Sequence, residues 1–229
     1  MESVKEVISI RPSITNFLQS FERVSDDKIK TYTHPFYSSS YSSSKTQKKQ
    51  GAITLSRVGL GKNLDMVYEA NKQVSGNENK IIHMYGSYQS MDVFRMMNGD
   101  REKIADFNSY YKGKFTKEFN SVKDILSTKK FVIDLTSTKN DGGGTQYTFL
   151  EAIENNCCLV LHESWIKNVI PEYSVFESGY NCLTVSNKQE LVELLEKQDR
   201  IDVDSIIKNS KKLLNKVTEN NKIWNSLLS

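Results

Sequence analysis

At 229 residues, with 38% apolar and 26% charged side chains, the chain can bury one sizeable core and is marginal for two full domains. Three Pro, eleven Gly and 31 basic against 28 acidic residues exclude a collagen-like, disordered or supercharged chain. The net charge of +3 supplies no broad electrostatic reason to bind nucleic acid or an acidic membrane, so nucleic acid is not an expected partner. No apolar run approaches the roughly 18 to 20 residues that span a bilayer, and residues 1–11 lack the apolar core of a signal peptide. The expected location is the cytoplasm. Cys157 and Cys158 are adjacent in an apolar run and would point to opposite faces of a strand, with Cys182 apart. Buried thiols are expected rather than a disulfide framework or a metal knuckle. The absence of an N-x-[ST] sequon agrees with that location.

In chain order, Val4, Val7, Ile8 and Ile10 give a short apolar alternation, and Pro12 and Ser13 open a helix carrying Ile14, Phe17, Leu18 and Phe21. Residues 28–32 read as a strand ending at His34-Pro35. Residues 37–50 (YSSSYSSSKTQKKQ) have no apolar period and read as a linker or mobile loop, with Lys45, Lys48 and Lys49 as a solvated basic cluster. Three units are expected: a domain remnant at 1–36, the linker at 37–50 and one domain at 51–229. In that domain strands are expected at 52–56, 80–85, 110–115, 131–135, 157–161 and 182–185. Between and after them come helices on the face of Leu64, Val67 and Tyr68, over about 90–108, around 122–126, over 146–154 and over 189–196. Short apolar strands alternating with helices mean a parallel, Rossmann-like α/β sheet covered on both faces. From Asp204 onward an apolar stripe through Ile207, Val217 and Trp224 makes a long amphipathic C-terminal helix that needs a surface to pack on.

In such a sheet ligands bind beyond the carboxyl ends of the strands. Two loops there can carry chemistry. The first, residues 56–63, holds Arg57, Gly59, Gly61 and Lys62; it fails as a dinucleotide fingerprint and as a Walker A loop. What it offers is two cations on a glycine-containing turn, either a grip for two phosphates or two solvated side chains. The second runs Asn140-Asp141-Gly142-Gly143-Gly144-Thr145-Gln146 into a helix that carries Glu151. Bare glycine amides beside a helix start favour an anion, and Glu151 can accept hydrogen bonds from sugar or ribose hydroxyls. Each feature has an ordinary alternative, a surface turn and a solvated carboxylate. His83 reads as a packed histidine, His162 ends a strand near the site, and three scattered histidines show no metal spacing. Tyr110, Tyr111 and Phe115 read as sheet packing.

The order of Arg57-x4-Lys62, residues 80–86 (KIIHMYG), residues 131–136 with the glycine loop and Phe149-Leu150-Glu151-Ala152, and residues 179–185 (GYNCLTV) resembles the C-terminal, nucleotide-sugar-binding half of GT-B glycosyltransferases, family 4 above all. The resemblance covers residues 52–197. Residues 4–36, with Lys28-Ile29 leading to Pro35, resemble the family's domain junction. It implies a metal-independent, retaining transfer of sugar from a nucleotide-diphosphate sugar. Arg57 and Lys62 match the pair that grips the donor diphosphate, and Glu151 matches the second glutamate of the E-x7-E motif, which bonds the ribose. The first glutamate falls on Gly143, where none is present, and Asp141 is the substitute if the loop bulges. Gly59, Gly143, Gly144 and Thr145 would face the donor, and Gly86 would let the backbone approach the nucleotide.

Almost all of that family's N-terminal acceptor domain lacks a counterpart in the sequence. The resemblance therefore implies a donor-binding half that works with a companion domain, or a homo-oligomer formed through the C-terminal helix. Two other readings stand beside it: a non-catalytic nucleotide-binding or scaffolding module, which Gly143 favours, and a sugar-nucleotide epimerase. A modified DNA base as acceptor gains little from a charge of +3.

Overall fold

The computed structural model describes residues 6–10, 12–20, 25–32, 35–36, 49–74, 76–115, 119–138, 146–169, 174–219 and 221–228. Most of the expected linker, including Lys45 and Lys48, lies outside the described residues. The chain opens with β1 (Val7–Ser9), α1 (Pro12–Gln19) and β2 (Ile29–Thr31), and β1 and β2 pair in parallel with Val7 opposite Ile29. A parallel pair needs a crossover between its strands, and α1 supplies it.

The main sheet is all parallel and follows the alternation of the sequence. Its strands are β3 (Ala52–Leu55), β4 (Ile82–Tyr85), β5 (Tyr111–Gly113), β6 (Phe131–Asp134), β7 (Cys158–His162) and β8 (Leu183–Val185). The spatial order is β5-β4-β3-β6-β7-β8. The chain fills one side of β3 first and then crosses to the other, so the order reverses between β3 and β6. That reversal is the switch point at which open α/β sheets bind ligands.

Period-two alternation sends each strand's side chains to two cores. Ala52, Ile82, Met84, Phe131, Ile133, Cys158 and Val160 enter one core, under α2 (Leu64–Asn71), α3 (Ser90–Met96), α4 (Arg101–Ser109) and α8 (Lys188–Lys197). Ile53, Leu55, Val132, Leu159 and Leu161 enter the other, under α5 (Phe119–Ser127), α6 (Tyr147–Glu154) and α7 (Ser164–Lys167). Cys157 and Cys158 fall in opposite cores, and all three cysteines are free and buried. Burial pushes the Cys158 and Cys182 thiols up to about 12, which keeps them protonated and unreactive.

The C-terminal stripe finds its surface on this domain. It comes as α9 (Asp204–Glu219) and α10 (Asn221–Leu228); Leu214 and Val217 of α9 pack in the second core and Ile206 in the first. Trp224 of α10 meets Tyr32 edge-on at 6.1 Å between ring centroids, and the Asn221 side chain brackets Phe36, accepting from its N–H at 3.2 Å and donating to its carbonyl at 2.5 Å. The early segment is thus sewn to the last helix.

Lys49 departs from the sequence reading. It is not a solvated linker cation: its ammonium donates to the Leu126 carbonyl at 2.8 Å and to the Asn155 carbonyl, and lies 3.5 Å from the Cys157 sulfur. It adds a charged donor to carbonyls at the ends of α5 and α6, which pins the entry to β3. No described helix is long and apolar enough to cross a membrane.

Candidate functional site

The loop at 56–63 and the segment at 135–138 leave the carboxyl ends of β3 and β6, the strands that flank the switch point. In the first, Arg57 is exposed and Lys62 is partly covered. The Lys62 ammonium donates to the Thr136 hydroxyl at 2.9 Å and lies 3.3 Å from Oδ2 of Asp134, the last residue of β6. Asp134 is buried, with 5% of its side chain exposed, and its Oδ1 accepts the Thr136 N–H at 2.9 Å. Asn63 adds a second bridge, donating to the Leu135 carbonyl at 2.8 Å and to the Ser137 hydroxyl at 2.9 Å. The first loop and the segment 134–137 are therefore one bonded unit.

The segment after β6 is also held from its other side. The Trp165 indole donates to the Thr136 carbonyl at 2.9 Å, and the Thr138 N–H and hydroxyl bond Ser164 at 2.9 and 2.7 Å. His162 belongs to this bracing. Its Nδ1 accepts the Ser164 N–H at 3.2 Å and lies 2.9 Å from the Ser164 hydroxyl, so the lone pair is committed to the turn. Asp134, Thr136, Asn63 and Trp165 were not singled out in the sequence. An acid closing the buried run FVID is the signal that could have found Asp134.

Both expected glycines of the first lobe are tight, for reasons nearer home than a nucleotide. At Gly86, φ is +146° and a Cβ would stand 1.8 Å from the Ser56 carbonyl oxygen, so the required close approach is to the exit of the neighbouring strand. At Gly59 a Cβ would meet Oδ2 of Asp92 at 2.5 Å; the same carboxylate accepts the Leu60 N–H at 3.1 Å and shapes the turn that carries Lys62.

Asp141, Gly143, Gly144 and Thr145 lie outside the described residues. Their loop feeds α6, whose Phe149, Leu150, Ala152 and Ile153 are buried in the second core. Tyr147, Glu151 and Glu154 share the opposite face at i, i+4 and i+7 spacing. Tyr147 packs edge-on against Phe36 at 5.3 Å. Glu151 is half-buried, and burial followed by repulsion from Glu154 pushes its carboxyl up to about 7. A half-buried carboxylate with a perturbed titration is a candidate functional group. His83 is half-buried on β4; burial and the charges of Lys112 and Lys129 hold its imidazole below the usual range, as suits a packed neutral ring. Tyr110 and Tyr111 pack against Tyr68 and Tyr88 at 6.3 and 5.1 Å. Among the described residues no group of three His, Cys, Asp or Glu could hold a metal ion.

No protein-family model matches the chain, and no curated protein matches it in sequence. Solved structures do match in fold. HepE of Anabaena, solved in complex with UDP-glucose, superposes with a TM-score of 0.70 at 14% identity, over 99% of this chain and 64% of that one. A glycosyltransferase from Rickettsia africae superposes with a TM-score of 0.60 at 13% identity, over 95% of this chain and 59% of that one. The C-terminal domain of a glycosyl transferase group 1 family protein, LpcC of Francisella tularensis, gives 0.51 at 16%, over 74% of this chain and 86% of that domain. The chain spans less than two thirds of the HepE chain. These likenesses establish the architecture: a Rossmann-like parallel sheet with helices on both faces and a long C-terminal helical segment, shared with these neighbours.

Proposed function

We propose that this chain binds a nucleotide-diphosphate sugar and supplies the donor-binding half of a retaining, metal-independent glycosyltransferase. The observation that carries the reading is Lys62, a cation held by Asp134 and Thr136 at the crevice between the two central strands, in the fold of a protein solved with UDP-glucose. Lys62 and Arg57 bind the diphosphate and stabilise the charge that builds on it as the bond to the sugar breaks. Glu151 accepts from the ribose hydroxyls. The glycine loop presents the amides of Gly144 and Thr145 to the donor, with Asp141 taking the part of the glutamate that Gly143 replaces. Gly59 and Gly86 keep the backbone close on the first side. The acceptor side of the cleft comes from a companion N-terminal domain, and the working location is the cytoplasm.

Ligand-observed NMR with UDP, UDP-glucose and inorganic phosphate tests the binding claim. Both nucleotides should contact the protein and compete for one site; contact by neither overturns it. A second reading, a nucleotide-binding module without catalysis, is favoured by Gly143 at the glutamate position. Hydrolysis of the donor or transfer of its sugar by the chain contradicts that second reading.

A further inference from the structure

Asp134 is an unexpected neighbour for a phosphate grip. It closes β6, is buried, and sits 3.3 Å from the ammonium that the donor-binding reading assigns to a diphosphate. It is also fixed in place. Its Oδ1 takes the Thr136 N–H, the Thr136 carbonyl is held by the Trp165 indole, and Thr138 is bonded twice to Ser164. The carboxylate therefore cannot swing clear of a ligand. An ammonium has three N–H donors. Two of those on Lys62 point to Asp134 and Thr136, which leaves one direction for a phosphate oxygen. An oxygen bound there lies within a few ångström of the Asp134 carboxylate and is repelled by it.

We propose that Asp134 is a specificity-determining residue that favours the intact sugar donor over the spent nucleotide diphosphate. The inference rests on the donor-binding reading and deepens it. In the donor each phosphate carries one ester link and the shared anhydride bridge, and so one negative charge. Once the sugar has left, the terminal phosphate is free and carries about one more negative charge at neutral pH. A fixed carboxylate beside the grip penalises the more highly charged species more, so it opposes product retention and speeds release. If Asp134 only placed Lys62, its loss would change the affinity for both ligands by the same factor.

The test is calorimetric titration of UDP and UDP-glucose into the full chain, comparing wild type with Asp134→Asn, which keeps an oxygen for the Thr136 N–H. The expected result is that UDP binds roughly 3- to 10-fold tighter to the variant while UDP-glucose gains distinctly less. Asp134→Ser, which also retains an acceptor, is measured beside it so that the outcome does not hang on the folding of one variant. Thr136→Val removes a bond from Lys62 without changing charge and should move both ligands together. Equal factors for the two nucleotides in Asp134→Asn, or weaker UDP relative to UDP-glucose, overturn the inference and leave the donor-binding reading standing. Binding of neither nucleotide to wild type overturns both.

Discussion

The Asn63 side chain donates to the Leu135 carbonyl at 2.8 Å and so ties the loop after one central strand to the segment after the other. Asn63 sits in the left-handed region at φ 47°, and its carbonyl accepts the N–H of Met66 at 3.1 Å, which starts α2. Asparagine tolerates that conformation where most residues do not. Asn63→Ala should lose the bridge and add backbone strain, costing about 2 kcal/mol in urea unfolding, whereas Asn63→Gly keeps the conformation and should cost about 1. An alanine variant as stable as the glycine variant would contradict this assignment.

Gly86 carries a stronger constraint. With the Ser56 carbonyl 1.8 Å from where a Cβ would stand, neither backbone can yield without breaking the Ser56 N–H bond to the Tyr85 carbonyl at 3.1 Å. Gly86→Ala should cost several kcal/mol, near the whole stability of a domain, and show as loss of cooperative unfolding by circular dichroism. Near-wild-type stability would mean that the strand exit is far more compliant than its geometry implies.

Glu151 makes stability depend on pH. Its carboxyl titrates near 7 in the folded protein against 4.5 for the free group, so the folded state binds this proton more tightly than the unfolded one. The contribution is present in full below about pH 4.5 and is lost as pH rises through about 7. Glu151→Gln should therefore match wild type in acid and exceed it above neutrality by on the order of 1 kcal/mol, allowing for solvent screening of a half-buried group. Melting temperatures across that range check it; a difference that does not vary with pH would assign Glu151 no titrating role. The same substitution should weaken nucleotide binding if the carboxylate accepts from ribose.

Period and composition made the sheet readable. Runs such as AITL and FVID, short, apolar and set between helical patterns, read as strands covered on both faces, and the opposite pointing of Cys157 and Cys158 follows from period two. The cation loop was readable because Arg57 and Lys62 follow a strand on a glycine-containing turn. What escaped were contacts between segments distant in sequence. Lys49 looks like its lysine-rich neighbours until the ends of α5 and α6 bring two carbonyls to it. Asp134 is separated from Lys62 by 72 positions, and only the crossing from β3 to β6 makes them partners. Gly86 is read in the sequence as a place of approach to a nucleotide, and the close approach in the structure is of another kind. The partner is a carbonyl of the adjacent strand, which no local pattern encodes.

The proposed diphosphate grip of Arg57 and Lys62 is what the donor-binding reading stands on. Calorimetric titration of UDP into wild type and into the Arg57→Ala, Lys62→Ala double variant tests it most directly. Charge-assisted contacts contribute roughly 1.5 to 3 kcal/mol each, so the account predicts that the double variant loses affinity by well over about tenfold while keeping its fold. Equal affinity in the two proteins would contradict it.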